Sequence, residues 1–327
     1  MPPEQPGMEA VPDLPRVVVK SSESASLISQ IEPSLIERHG AVLFRGFGVD
    51  STEAFREAVA PLLGDFESYA GGVGFKSRLS SGVYTSTDLP GGISISPHSE
   101  LSYTQTPPRF VAFWCEQPAE RGGQTSLVCA RRVFEGLSAP VREAFEERGV
   151  CYLRAYPPDG SLVRLVNRWA PLWPTWEQVF ETADPAEVEH ICDRLGLDFH
   201  WSDKGELCAR ITLPGVDRNV TGRRVWLNHA HTFAPSPAAV GWLGYALFRL
   251  LGFLPPFRQA TATFGDGVRI PPSMLQEISL LLRAESRLVE WEPNDLLVIY
   301  NQAVLHGRMP YSGPRRVWAV MGRGRVA

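Results

Sequence analysis

The stretch LVEWEPNDLLVIYNQAVLHGRMPYSGPRRVWAVM, Leu288 to Met321, decides how the rest of the chain is read. Leu288 to Trp291 alternates, Leu296 to Tyr300 runs apolar, and Glu292-Pro293-Asn294-Asp295 between them has turn composition, which predicts a hairpin. Arg316 to Met321 supplies a further strand. His306 follows the buried-looking strand, and Arg315 and Arg316 open the next one. Side chains alternate across a strand, so only one of the two arginines faces inward.

Roughly two hundred residues upstream stands His98-Ser99-Glu100, just after an expected strand at Ile93 to Ile95. Residues i and i+2 of an extended backbone share a face, so both side chains can reach one ion. Seven histidines and 36 acidic residues in 327 give about one such spacing by chance, so the tripeptide gains weight only from His306. Two histidines and one carboxylate occupy one face of an octahedral Fe(II) and leave three positions open. Such an ion serves a co-substrate that takes two positions and dioxygen in the third. Asn228-His229-Ala230-His231 is a second metal-like spacing, and with His306 it suggests a cupin that does not use 2-oxoglutarate. Pro235 and Pro237 interrupt that run and no acid follows at the needed distance, so it is read as substrate-side or structural.

Between these anchors the pattern is of short strands with helices outside. Met1 to Pro15 is a Pro-rich arm, Ser26 to His39 has helical spacing closed by Gly40, Ala41 to Phe47 is a strand, and Thr52 to Leu63 is a helix capped from Ser51. Ala70 to Gly92 is polar and broken by glycine, and is expected to be a loop or lid. Strands are expected at Arg109 to Cys115, Gln124 to Val128, Asp198 to Trp201, Glu206 to Leu213 and Arg223 to Leu227, with helices at Arg131 to Leu137, Pro140 to Glu147 and Ala238 to Leu251. The last of these helices is also a candidate surface for a homo-oligomer. Residues 156–196, rich in Trp and Pro and then helical, read as an insertion over a barrel mouth within one catalytic domain, 16–327. The expected class is mostly β with added helices, α+β.

Composition narrows the partners. Hydrophobic residues at 44% and charged residues at 21% allow a substantial core. A net charge of −4, with both signs spread along the chain, builds no basic stripe for nucleic acid. No apolar run is long enough to span a membrane. The five cysteines are far apart with no Cys-x-x-Cys pair, which fits a reducing cytoplasm.

Taken in order, AVLFRGF (41–47), PHSELSY (97–103), RGGQTSL (121–127) and DLLVIYNQAVLHGR (295–308) with Tyr311 and Arg315/Arg316 resemble the taurine and 2,4-D dioxygenase (TauD/TfdA) family, SyrP-like branch. The resemblance implies a distorted double-stranded β-helix, a jelly-roll, cupin-like barrel with flanking helices and a lid insertion. It implies Fe(II) on His98, Glu100 and His306, with 2-oxoglutarate and O2 as co-substrates. Thr125 and Arg316 would hold the distal carboxylate of 2-oxoglutarate, with Arg315 as the exchange if the strand phase differs by one. Tyr103 and Tyr84 are the candidate substrate contacts. The implied reaction is hydroxylation of an aliphatic C–H of an amino acid or a carrier-tethered aminoacyl group in natural-product (antibiotic) biosynthesis. Desaturation, epoxidation and halogenation are the neighbouring outcomes. Glu100 stands where the family more often has Asp, and it fills the space a halide would need. Val320 lies near where the taurine enzyme carries a substrate-binding arginine, which argues against a sulfonate substrate.

Overall fold

The computed structural model describes residues 14–21, 26–72, 76–80, 82–169, 173–219, 221–233, 245–246, 250 and 260–324. The proposed arm before Leu14 and most of the expected helix at 238–251 lie outside them.

Strand alternation builds the framework. In Phe110–Gln117, Val111, Phe113 and Cys115 point into one buried cluster, while Phe110, Ala112 and Trp114 point into another. Leu296–Tyr300 divides the same way, with Leu297 and Ile299 inward and Leu296, Val298 and Tyr300 outward. A strand apolar on both faces is covered on both faces. The outward cluster is closed by the helix Thr52–Leu63, through Phe55, Ala58, Val59 and Leu62. Ser51 starts that helix by accepting from Ala54 N at 3.2 Å.

The inward faces enclose the barrel. Seven strands form one sheet, in the order Arg16–Val19, Ala41–Arg45, Leu296–Tyr300, Phe110–Gln117, Arg316–Gly322, Val83–Thr85 and Arg78–Ser80. Four form a second, in the order Arg287–Val289, Thr125–Cys129, Val304–Arg308 and Ile95–His98. Arg287–Val289, Leu296–Tyr300, Val304–Arg308 and Arg316–Gly322 alternate between the two sheets, as do Ile95–His98, Phe110–Gln117 and Thr125–Cys129. This alternation is the winding of a double-stranded β-helix.

The alternation corrects the hairpin expected at 288–300. Arg287–Val289 pairs with Thr125–Cys129, and Leu296–Tyr300 pairs with Ala41–Arg45 and Phe110–Gln117, so the intervening turn crosses between sheets. The crossing is pinned by Asp295, fully buried, which takes a two-pronged contact from Arg45 at 2.9 and 2.7 Å and a third bond from Glu292 N at 2.8 Å. Asn294 adopts a left-handed φ of 68° to make the bend.

Two further expectations are revised. Pro33 splits the helix expected at 26–39 into Leu27–Gln30 and Pro33–His39, because its ring cannot accept a preceding helical turn. The stretch 70–92 is only partly a loop. Val83–Thr85 pairs with Arg316–Gly322, and Val83 and Tyr84 are buried. Among its described residues the insertion holds three helices, Ser161–Trp169, Trp176–Phe180 and Pro185–Arg194. It packs on the 69–72 segment, where Gly71 N donates to Val179 O at 2.8 Å. A side chain at Gly71, φ 83°, would collide with Leu195. Pro272–Ala284 forms a helix that the sequence reading left unassigned.

Candidate active site

His98 ends its strand and His306 sits in the adjoining one, where the two are paired residues. Val304–Arg308 can lie this close because residue 307 is glycine: a Cβ there would stand 2.4 Å from Ile95 O and 2.9 Å from Pro97 N. Glu100 is carried on the turn after His98 and is held by Asn301. The Asn301 side chain accepts from Glu100 N at 2.7 Å and from Ser99 Oγ at 3.2 Å, and donates to Glu100 O and Pro108 O at 2.9 Å. Asn301 is fully buried, so every group it satisfies would otherwise be unpaired in the core. The turn contains Leu101 at φ 52°, a conformation that this network sustains.

These elements bring one ligand atom each from His98, Glu100 and His306 to within 4.8 Å of one another. His306 Nε2 lies 3.5 Å from Glu100 Oε2. His98 Nδ1 is bonded to Ser96 O at 2.9 Å, which fixes the ring so that Nε2 carries the available lone pair. Burial, then the neighbouring His306, pushes the His98 pKa down to about 3, so the imidazole is neutral and able to donate. Burial alone would raise Glu100. The Lys76 ammonium and the two histidines outweigh it and hold the carboxylate well below its usual range. Two imidazoles and one carboxylate are a donor set suited to Fe(II) and could hold one such ion.

The trio lines a cavity of about 240 Å³ shared with Tyr69, Lys76, Tyr103, Phe113, Thr125 and Arg315, among others. Phe113 packs its ring edge-on to His306 at 5.1 Å. Thr125 Oγ1 accepts from Trp291 Nε1 at 3.0 Å, which leaves its proton to donate. Arg315 is in the cavity wall, held by Gly123 O and Ser86 Oγ, each at 3.2 Å. Burial pushes its pKa down to about 10, and it stays charged at neutral pH.

Arg316 is not in this wall. It is exposed and paired with Glu116 at 2.9 Å. The inward residues of its strand are Val317, Ala319 and Met321, so alternation turns Arg315 in and Arg316 out. Val320 points to the outer cluster for the same reason and does not line the cavity. Tyr103 lines the cavity, and Tyr84 stands behind it, its hydroxyl accepting from Tyr69 N at 3.1 Å. The residue of that pair that reaches the cavity is Tyr69, its hydroxyl 3.5 Å from that of Tyr103.

The segment 228–231 is not a strand. Ala230–Phe233 is a short 3-10 turn. His229 joins the cavity, its ring 4.8 Å from that of His98 and its Nδ1 2.8 Å from Ser102 Oγ. His231 turns away to bond Pro97 O at 2.9 Å, so the two do not share a ligand site. Lys76, Trp291, Asn301 and Arg308 went unnoticed in the sequence as site residues. Arg308 donates to Leu89 O, Pro90 O and Ile93 O at 2.7–3.0 Å and clamps that segment against the cavity. Asn301 and Arg308 carried a sequence signal, since both lie within the quoted motif 295–308.

Residues 13–321 match the family described as taurine catabolism dioxygenase TauD, TfdA family. The chain is 28% identical to the dapdiamide synthesis protein DdaC of Enterobacter agglomerans, over 86% of this chain and 82% of that one. It is 29% identical to a clavaminate synthase-like protein of Arabidopsis thaliana, over 88% and 82%. In fold it is similar to AAD-2, solved with Mn(II) and N-oxalylglycine, at a TM-score of 0.52 and 13% identity over 95% of this chain and 94% of that one. The Pseudomonas aeruginosa PvcB structure gives a TM-score of 0.50 at 15% identity over 94% and 86%. The jelly-roll barrel is thereby established, and the chain belongs to the TauD/TfdA family of Fe(II)- and 2-oxoglutarate-dependent dioxygenases.

Proposed function

We propose that the chain hydroxylates an aliphatic C–H bond of an amino acid or a carrier-tethered aminoacyl group, with His98, Glu100 and His306 holding the iron. The observation that carries the reading is the convergence of these three side chains on one cavity that also contains a buried arginine and a threonine. Bound there, Fe(II) and 2-oxoglutarate supply the oxidant that inserts oxygen into a C–H bond.

The protein's own contribution is positioning. Asn301 fixes the turn that presents Glu100, Ser96 O fixes the His98 ring, and Trp291 aims the Thr125 hydroxyl. Arg315, with Thr125, takes the distal carboxylate of 2-oxoglutarate, since a guanidinium fork matches a carboxylate in two parallel bonds. Arg315 fills this role and Arg316 does not, because Arg315 shares the inward face of Val317, Ala319 and Met321 while Arg316 pairs with Glu116 outside. Tyr69 and Tyr103 line the wall where substrate would enter, and Phe113 and Val317 keep the centre apolar. The insertion at 156–196 serves as the lid, braced on the 69–72 segment that carries Tyr69.

Relatives support the substrate class. One is a dapdiamide synthesis protein and a structural neighbour is an oxygenase from an isonitrile synthetic pathway, both in keeping with a biosynthetic role. Among the described residues no helix is long and apolar enough to cross a membrane, and the five cysteines are free, in keeping with a cytoplasmic enzyme. The test is succinate formation from 2-oxoglutarate with Fe(II) and O2, screened against amino acids and aminoacyl carrier proteins, with products read by mass spectrometry. A mass gain of one oxygen is expected. Loss of two hydrogens, or gain of chlorine, would reject hydroxylation while keeping the oxygenase.

A further inference from the structure

We propose that Lys76 is the anchor for an anionic group of the substrate, a carboxylate in an amino-acid-type substrate, and so sets specificity beside the iron-binding trio. The inference rests on the metal and co-substrate reading above.

The Lys76 side chain is 6% exposed. Its Nζ donates to Glu100 Oε2 at 2.8 Å and lies 4.2 Å from the centre of the Tyr69 ring. A buried ammonium is tolerated when an anion meets it. Glu100 is the carboxylate that meets it among the described residues, and Glu100 is also the one acidic candidate ligand in the cavity. Once that carboxylate binds a divalent ion, Lys76 stands beside added positive charge with its own counter-charge committed elsewhere.

The charge inventory of the cavity points the same way. Its described lining holds three cationic side chains, Lys76, Arg308 and Arg315, against the single carboxylate of Glu100. A divalent ion and a dianionic co-substrate cancel, so two positive charges remain in excess. Arg308 carries one of them, and its guanidinium is already met by three backbone carbonyls. Lys76 carries the other. A substrate carboxylate close to the reacting carbon meets Lys76 and leaves the Arg308 charge to its carbonyls, whereas a substrate with no anionic group there would leave a buried ammonium beside the metal unpaired.

Position separates this charge from the co-substrate end. Arg315 is tied to Ser86 and Gly123, and Thr125 to Trp291. Lys76 belongs instead to a continuous wall, packed on Tyr69, whose hydroxyl meets that of Tyr103, whose ring in turn meets His229 at 4.9 Å. The strand Arg316–Gly322 adds Val317 alone to the cavity lining, so no cation from that strand competes for the role.

The experiment loads the protein anaerobically with Fe(II) and 2-oxoglutarate and titrates the twenty proteinogenic amino acids, their N-acetyl derivatives and the carboxamide of each. Binding is read from perturbation of the visible charge-transfer band, and independently by calorimetry with Mn(II) and N-oxalylglycine in place of the reactive pair. At least one acid is expected to bind, with its carboxamide tenfold or more weaker. In Lys76→Met the acid weakens tenfold or more and the amide less than twofold, while Lys76→Arg keeps the preference for acid. Equal binding of acid and amide, an undiminished preference in Lys76→Met, or no acid perturbing the band would overturn the proposal. So would a Lys76→Met defect confined to 2-oxoglutarate. Failure of the band to form in the unaltered protein would instead reject the metal reading, and this inference with it.

Discussion

Replacing Arg315 with alanine probes the co-substrate site at its most exposed assumption, the phase of the last strand. The guanidinium is buried, and two of its N–H groups are spent on Gly123 O and Ser86 Oγ, each at 3.2 Å. Arg315 lines a cavity that Thr125 also lines, and has further N–H donors to offer there. Charge-assisted hydrogen bonds to a buried carboxylate are worth roughly 1.5–3 kcal/mol each, so removing the fork should cost about 3 kcal/mol, or roughly a hundredfold in 2-oxoglutarate affinity. Arg316→Ala removes only an exposed pair with Glu116, worth less than about 1 kcal/mol, and should leave that affinity within about threefold. Arg315→Lys keeps the charge without the fork and should fall between the two. The assay is anaerobic titration of 2-oxoglutarate into the Fe(II)-loaded protein, with circular dichroism to confirm folding. A hundredfold loss in Arg316→Ala, with Arg315→Ala within threefold of the unaltered protein, would refute the strand phase and the assignment built on it.

The remaining predictions follow from the same geometry. His98→Ala or His306→Ala should abolish metal-dependent succinate formation while the thermal transition stays cooperative; full turnover in either variant removes that residue from the ligand set. Asn301→Ala should destabilise the fold by about 2–4 kcal/mol, since it leaves Glu100 N, Glu100 O and Pro108 O without their partner, and should weaken Mn(II) binding measured by calorimetry. An effect below about 1 kcal/mol would show that the turn does not depend on Asn301. The metal-free protein should lose stability as pH falls from about 6.5 towards 4. In the fold, burial and neighbouring histidines hold His98 near 3 and His229 well below its ordinary value, and burial holds His231 near 4. The unfolded chain takes up these protons first, and so gains at low pH. Asp217, which burial pushes up to about 6, works in the opposite direction and recovers part of the loss. Calorimetric melting temperatures that stay level or rise between pH 7 and pH 4.5 would contradict this balance.

The features legible in the sequence are those that depend on short-range pattern. Period-two and continuous apolar runs located Ala41–Arg45, Phe110–Gln117, Thr125–Cys129 and Leu296–Tyr300 to within a few residues. The i, i+2 spacing of His98 and Glu100, read with His306, located a cluster that folding does bring together. What stayed hidden depends on which surfaces meet. Periodicity reports that 288–291 and 296–300 are extended, but not that they join different sheets, because the crossing is fixed by Asp295 reaching Arg45, 250 positions away. Lys76 lies in a stretch whose polarity suggests solvent, yet it is buried with its ammonium on Glu100 and the Tyr69 ring, partners that local polarity does not report. Tyr84 is expected at the substrate, yet Tyr69 lines the cavity, because sequence does not tell which ring of a contacting pair faces inward. His229 and His231 looked like a strand pair, yet a 3-10 turn sends one into the cavity and the other to Pro97.

The central claim is that His98, Glu100 and His306 close on one ion. Crystals grown anaerobically with Mn(II) and N-oxalylglycine, measured for anomalous scattering of manganese, test it directly. A single peak bonded by His98 Nε2, a Glu100 carboxylate oxygen and His306 Nε2 is the expected result. A folded protein whose only manganese lies elsewhere, or whose His306 ring turns from the His98–Glu100 pair, would contradict the account.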